Sequence, residues 1–251
     1  MKNILLLICF CSNLLGFSQE KAPLLIAHRG GILANIPENS LLAFQHCMDT
    51  NVAMIETDVR LSKDHKMVLF HDASLQRMTG NSKKLANCTL AELQELSLGQ
   101  LQKIPTLQEA LVLVKKGNSK LLLDIKAGER LDYQLLFQLL EKHQLKQQVC
   151  IGVRTLEELK TCKKLDANVQ VLGFIPEPEQ TDVFILHKVN AIRLWPNWLE
   201  DHPTLVTDLA KKNIPIWMTV KAMETPIIKQ LVQQGASGFI HDNPQKVRKE
   251  F

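Results

Sequence analysis

The 251-residue chain contains no CxxC pair, so a thiolate zinc site or a thioredoxin-type centre has no ligands to build on. It has no GxGxxG and no GxxxxGK followed by Ser or Thr, the two loops that hold a dinucleotide or a nucleoside triphosphate in an open α/β sheet. Lys and Arg form no dense run, and thirty basic against twenty-six acidic residues leave a net charge of +4. That leaves the electrostatic footprint of a nucleic-acid-binding protein without support, with weak attraction to anionic surfaces still open. Aromatics are scarce at 5%, and eleven Gly and ten Pro are too few for a collagen-like or low-complexity chain. What is present, 45% apolar and 22% charged residues, is ordinary globular composition able to bury a real core.

The first eighteen residues, MKNILLLICFCSNLLGFS, read apart from the rest. One Lys, an apolar stretch of about fourteen residues broken by Ser12 and Asn13, and small residues before Gln19 have the form of a secretory signal peptide, with cleavage between Ser18 and Gln19. A spanning helix needs about twenty apolar residues, so no stable membrane anchor is expected. Ile8 and Phe10 precede Cys9 and Cys11, where a lipoprotein signal needs a small residue. The expectation is a secreted or periplasmic protein whose mature domain spans 19–251. Cys47, Cys88, Cys150 and Cys162 remain in it, expected as buried thiols or at most one bridge.

From Leu24 onward short apolar runs alternate with amphipathic segments. The runs 24–28, 53–58, 121–125, 148–153, 169–174, 191–195, 214–219 and 237–241 predict strands. Helices are predicted over 41–49, 107–116, 132–142, 156–165, 181–188, 205–212 and 226–233, with a tail from Pro244. Asn39 or Ser40, Thr106, Thr155 and Thr225 stand where N-caps belong. Apolar strands alternating strictly with helices imply parallel βα units. Eight such units in this length fit a single closed (β/α)8 TIM barrel, usual size roughly 250 residues. Residues 72–105 break the rhythm, and a loop of that length predicts a small functional insertion after the second strand, packed over the top of the barrel.

Ionisable residues gather at the C-terminal ends of the apolar runs. The first ends in His28-Arg29-Gly30-Gly31, the second in Glu56-Thr57-Asp58, the third in Asp124-Ile125-Lys126, and His71-Asp72 follows VLF. Side chains alternate along a strand, so Glu56 and Asp58 share a face, as do Asp124 and Lys126. In a barrel these residues converge on the C-terminal rim. Three buried carboxylates there call for one divalent cation, and an all-oxygen set at Glu56, Asp58 and Asp124 selects a hard ion, Mg²⁺ or Ca²⁺. Arg29 and Lys126 suit a phosphate. His28 and His71 suit a general acid and a general base near neutral pH. Together these residues describe metal-assisted cleavage of a phosphodiester. The plainer alternatives are strand-end structural histidines and a metal-free charge network among the carboxylates, Arg29 and Lys126. Trp217 on the seventh strand is placed among the substrate contacts, with filling of the barrel as its alternative role.

The ordered set HRGG, PENS, ETD, HD, IPTLQEAL and LDIK resembles the glycerophosphodiester phosphodiesterase family, a group of phosphatidylinositol-phospholipase-C-like phosphodiesterase barrels, from Ile26 to about Asp242. The resemblance implies the same barrel with an insertion after strand two. It implies His28 and His71 as the acid–base pair, Glu56, Asp58 and Asp124 as metal ligands, and Arg29 and Lys126 as phosphate ligands. The implied partner is a small-molecule glycerophosphodiester, cleaved to sn-glycerol 3-phosphate and an alcohol. Three positions depart from the family pattern. Asp124 stands where Glu is usual, Lys221 follows Thr-Val where Asn is usual, and His241 precedes Asp242 where Thr is common. The Asp-x-Lys arrangement keeps open a phospholipase D-type enzyme acting on lysophospholipid or sphingolipid headgroups, and the shorter Asp124 a non-catalytic binding barrel.

Overall fold

The computed structural model describes residues 22–126 and 128–251; the leader expected at 1–18 lies outside them. Eight parallel strands follow one another round a ring: β1 (Leu24–Ala27), β2 (Met54–Leu61), β3 (Lys120–Ile125), β4 (Val149–Val153), β5 (Gln170–Gly173), β6 (Ala191–Leu194), β7 (Ile216–Lys221) and β8 (Gly238–His241). Each pairs with the next. The ring closes where Leu24 stands opposite Gly238 and Ala27 opposite His241. This is a (β/α)8 barrel.

Alternation along the strands separates two apolar zones. Ile26, Met54, Leu122, Cys150, Leu172, Ala191 and Ile240 cluster inside the cylinder. Their neighbours Ala27, Ile55, Leu121, Leu123, Ile151, Ile192 and Phe239 pack outward against the helices. Strands covered on both faces are apolar on both, which is why these runs read as continuous rather than alternating. Two residues beyond several inner positions the chemistry changes: Ile26 is followed by His28, Met54 by Glu56 and Asp58, Leu122 by Asp124, Ala191 by Arg193 and Ile240 by Asp242, while Gly152 and the apolar Phe174 follow Cys150 and Leu172. The lower storey of the barrel is therefore apolar and the upper storey charged.

The helices start where their caps dictate. Thr106 with Glu109 and Thr155 with Glu158 form reciprocal capping boxes opening the helices Leu107–Val114 and Leu156–Leu165. Such caps are each worth about 1 kcal/mol. Ser40 caps Leu41–Asp49 by accepting the Ala43 amide. Thr225 does not cap: Glu224 holds that position, and Thr225 is the first helical residue, ahead of Pro226.

Strand β2 runs past Asp58 because Val59, Arg60 and Leu61 pair antiparallel with Leu69, Val68 and Met67. The segment that follows has two short helices, Gln76–Thr79 and Leu90–Gln94, and a hairpin pairing Ser97–Gly99 with Gln102–Lys103. It carries its own buried cluster of Val68, Phe70, Leu75, Leu85, Cys88, Leu93, Leu98 and Ile104. Cys47, Cys88, Cys150 and Cys162 are all buried and unbridged. Among the described residues no helix is long and apolar enough to cross a membrane.

Candidate active site

At the C-terminal mouth the chain after β1 turns sharply. Arg29, Gly30 and Gly31 all take positive φ, at 53°, 81° and 90°. At Gly30 a Cβ would lie 2.9 Å from the Ala43 Cβ, so only glycine lets this turn press onto the first helix. The turn aims the Arg29 amide at Glu56, donating to Oε2 at 2.7 Å. Arg29 Nη1 donates to Glu38 Oε1 at 3.0 Å, and its Nε lies 3.7 Å from Asp58 Oδ2. Asn39, buried with φ 55°, clamps the second strand. Its Nδ2 donates to Asp58 Oδ2 at 2.7 Å, and its Oδ1 accepts the Thr57 hydroxyl at 2.7 Å and the Asp58 amide at 3.1 Å.

Glu56, Asp58 and Asp124 offer carboxylate oxygens all within 4.8 Å of one another, and all three side chains are buried. Lys126 Nζ lies 2.5 Å from Asp58 Oδ1 and 2.9 Å from Asp124 Oδ2. Arg154 Nη2 lies 2.6 Å from Asp124 Oδ1. Among the described residues Glu56 pairs with no cationic side chain. Burial, then the charges of Asp58 and Asp124, push its carboxyl well above the ordinary range. Burial acts the same way on Asp124, but the charges of Lys126 and Arg154 outweigh it and hold this carboxyl low. Burial would lower Lys126, yet the three surrounding carboxylates raise it. An all-oxygen donor set containing one uncompensated buried carboxylate fits a hard divalent cation.

Both histidines reach this mouth, each tied at Nδ1 to a carboxylate. His28 Nδ1 is 2.6 Å from Asp242 Oδ1, and His71 Nδ1 is 2.7 Å from Asp72 Oδ1. Among the described residues neither ring has a hydrogen bond at Nε2. His71 is not on a barrel strand. It is delivered by the amide of Phe70, which donates to the Asp58 carbonyl at 3.0 Å, and by Arg60 Nε, which donates to the His71 carbonyl at 2.9 Å. Burial lowers the His71 imidazole below its usual value, against the opposing pull of Asp58 and Asp72. Arg77, from the helix Gln76–Thr79, donates Nε to Asp72 Oδ2 and Nη2 to Glu38 Oε1, both at 2.6 Å. Glu38 thus joins Arg29 to Arg77. Burial raises its carboxyl, but the Arg77 hydrogen bond and the two guanidinium charges leave it below the ordinary range.

The sequence model of the Glycerophosphoryl diester phosphodiesterase family matches residues 28–246, the span from the first of these histidines past Asp242. The chain belongs to this family. It is 26% identical over 234 residues to a glycerophosphodiester phosphodiesterase of Caldanaerobacter subterraneus, a match covering 88% of this chain and 95% of that one. It is 25% identical to the human lysophospholipase D GDPD1, over 89% of this chain and 84% of that one. In fold it is similar to a phosphodiesterase of Oleispira antarctica solved in complex with the product sn-glycerol-3-phosphate. That likeness has a TM-score of 0.77 at 23% identity, covering 91% of this chain and 96% of that one.

Within this glycerophosphodiester phosphodiesterase fold, seven of the eight residues singled out in the sequence meet at the mouth: His28, Arg29, Glu56, Asp58, His71, Asp124 and Lys126. Trp217 does not. It is the second residue of β7, opposite Gly238 and Arg193. There it lines a cavity with Leu24, Met54, Lys120 and Gln148, at the N-terminal ends of their strands. The strand begins only after Pro215, which has no amide to donate to the sheet, so Trp217 fills the lower storey, in the notch left by Gly238. His241 also turns away, bonding the Met223 carbonyl and the Asn243 amide. The sequence analysis missed Arg154 and Arg193, although both carry the signal used for the others, a charge at or near a strand's C-terminal end. Arg60, next to last in β2, carried it too, whereas Arg77 on the helix Gln76–Thr79 carried none, its partner Glu38 lying far back in the chain.

Proposed function

We propose that the chain hydrolyses glycerophosphodiesters to sn-glycerol 3-phosphate and a free alcohol, with His28 and His71 as the acid–base pair. The observation that carries this reading is the pair of imidazoles at one mouth, each oriented at Nδ1 by its own carboxylate, beside a cluster of three acidic side chains. A carboxylate at Nδ1 fixes the tautomer and presents Nε2 for proton transfer. With water as the nucleophile, one imidazole takes its proton at Nε2 as the water oxygen bonds to phosphorus. The other gives a proton to the leaving alcohol oxygen as its bond to phosphorus breaks.

Glu56, Asp58 and Asp124 would hold one divalent cation, Mg²⁺ or Ca²⁺. When bound, it supplies Lewis-acid neutralisation of charge on the phosphoryl oxygens. Arg29 and Lys126 bind phosphate oxygens. The test is release of sn-glycerol 3-phosphate from glycerophosphoinositol, with and without chelator. Release abolished by chelator and restored by Mg²⁺ or Ca²⁺ is expected; no release under any of these conditions overturns the reading.

Residues 1–18 are proposed as a leader that directs the enzyme to a secreted or periplasmic location. The exported protein then begins at Gln19 on N-terminal sequencing, and a mature chain that keeps Met1 overturns this.

A further inference from the structure

Among the described residues one charged side chain at the mouth has no hydrogen-bonding or ionic partner. Arg193 is inward-facing on β6, two residues above Ala191 of the barrel interior, and only 5% exposed. Its Nε and Nη1 are buried without a hydrogen-bond partner. Buried guanidinium nitrogens are ordinarily paired, because leaving them bare is costly. The nearby carboxylate, Asp124, is already engaged by Lys126 and Arg154.

The surroundings of Arg193 hold it in place without satisfying it. Its guanidinium lies 3.9 Å from the centroid of the Trp195 ring and 5.0 Å from that of Phe174. Arg154 covers the same Phe174 ring at 5.2 Å. Phe174 reaches between the two arginines because β4 carries glycine at the facing position. A Cβ on Gly152 would lie 2.3 Å from the Phe174 ring. Stacking on aromatic faces fixes a guanidinium plane and leaves its edge N–H groups free for an incoming acceptor.

We propose that Arg193, flanked by Trp195, Phe174 and Arg154, forms a subsite for the alcohol half of the diester and takes a leaving alcohol that bears a second phosphate. The proposal rests on the phosphodiesterase function above. Position in the ring separates Arg193 from the scissile phosphate, while Arg154, paired with Asp124, stands between the two. Arg29 and Lys126 gather at Asp58 on β2, whereas β6 is four strands away in a ring of eight and faces β2 across the mouth. A phosphorylated leaving group gives the unpaired nitrogens their missing acceptor. A choline leaving group brings a cation against two arginines.

The test compares three substrates on the full-length mature enzyme with saturating Mg²⁺: glycerophosphoinositol 4-phosphate, glycerophosphoinositol and glycerophosphocholine. The first two differ only in the added phosphate. For the wild type, kcat/KM is expected to be at least tenfold higher for the phosphorylated ester than for its unphosphorylated twin, with the choline ester the poorest. Arg193→Met should erase that ratio while its melting temperature holds or rises, since an unpaired buried charge is removed. Equal kcat/KM for the twins in the wild type overturns the subsite, and this arm needs no variant to fold. An Arg193→Met loss equal on all three substrates also overturns it, assigning Arg193 to the scissile phosphate or to the fold. In both cases the phosphodiesterase function stands. No sn-glycerol 3-phosphate from any of the three overturns that function and the subsite with it.

Discussion

Each imidazole at the mouth depends on one neighbouring carboxylate. Asp242 holds His28 through a 2.6 Å contact that spans nearly the whole chain, and Asp72 holds His71 from the adjacent position. Removing the imidazole removes a proton-transfer group; removing its carboxylate only loosens it. His28→Ala and His71→Ala are therefore expected to lower kcat by about 10²–10⁴-fold, and Asp242→Asn by about 10–100-fold. Circular dichroism melts of all three should stay close to the wild type. A kcat retained in His28→Ala would remove that residue from the chemistry. Most of these residues were legible in the sequence, because a strand's period of two and the strand-end rule place them without knowledge of the fold. Arg154 carried the same strand-end signal, but nothing in the sequence showed that it pairs with Asp124. That contact also occupies the position where the family usually has the longer Glu. Lys126 and Arg154 anchor the shorter carboxylate in the cluster.

Among the elements, the segment after β2 was legible as an interruption but not in its wiring. Its first strand extends β2 by antiparallel pairing, and its helix Gln76–Thr79 sends Arg77 to Glu38, thirty-nine residues earlier. No local periodicity encodes a bond of that separation. The barrel strands and helices were read closely because capping boxes and apolar runs are local signals. The helix Leu156–Leu165 begins and ends where its sequence predicts. Strand β7 is the exception. Its predicted start lay before Pro215, and that shift was enough to move Trp217 from the mouth to the opposite end. Arg77 braces Asp72 and Glu38 together and touches no reacting atom, so it is a positioning residue. Arg77→Ala should lower kcat about tenfold through a misaligned His71, leaving KM little changed and shifting the pH profile of kcat. Arg77→Lys should recover only part of the loss, lacking the two-pronged geometry. A variant that lowers stability and kcat in step, with an unshifted profile, would make the brace merely structural.

Over the whole molecule, electrostatics oppose the fold at one point. Glu56 has its carboxyl raised above the usual 4.5 by burial and by Asp58 and Asp124. A carboxyl raised on folding stabilises the protein fully only below its unfolded value, and that contribution is lost as pH rises through the folded value. Asp124 works in the opposite direction, but its carboxyl is lowered from 3.8, so its contribution disappears only in stronger acid. Between mildly acid and mildly alkaline pH two contributions change in opposite senses: that of Glu56 is lost as pH rises, while His71, lowered from 6.5 by burial, favours the fold more as its unfolded form gives up its proton. In chelator the melting temperature of the wild type, measured against that of Glu56→Gln, should fall as pH rises from mildly acid to mildly alkaline. Added Mg²⁺ or Ca²⁺ should raise it, more at the higher pH. Glu56→Gln alone should keep only the opposite slope that His71 supplies. A metal-induced rise that is the same at both pH values would separate Glu56 from the cation site.

The amide of Phe70 on the Asp58 carbonyl has a consequence for failure as well as for assembly. Half of the proton-handling apparatus rides on an appendage with a small greasy centre of its own, while the other half is built into the cylinder. Gentle heat or low denaturant that frays the appendage would silence turnover while the cylinder still gives its full helical signal, so inactivation would run ahead of global melting.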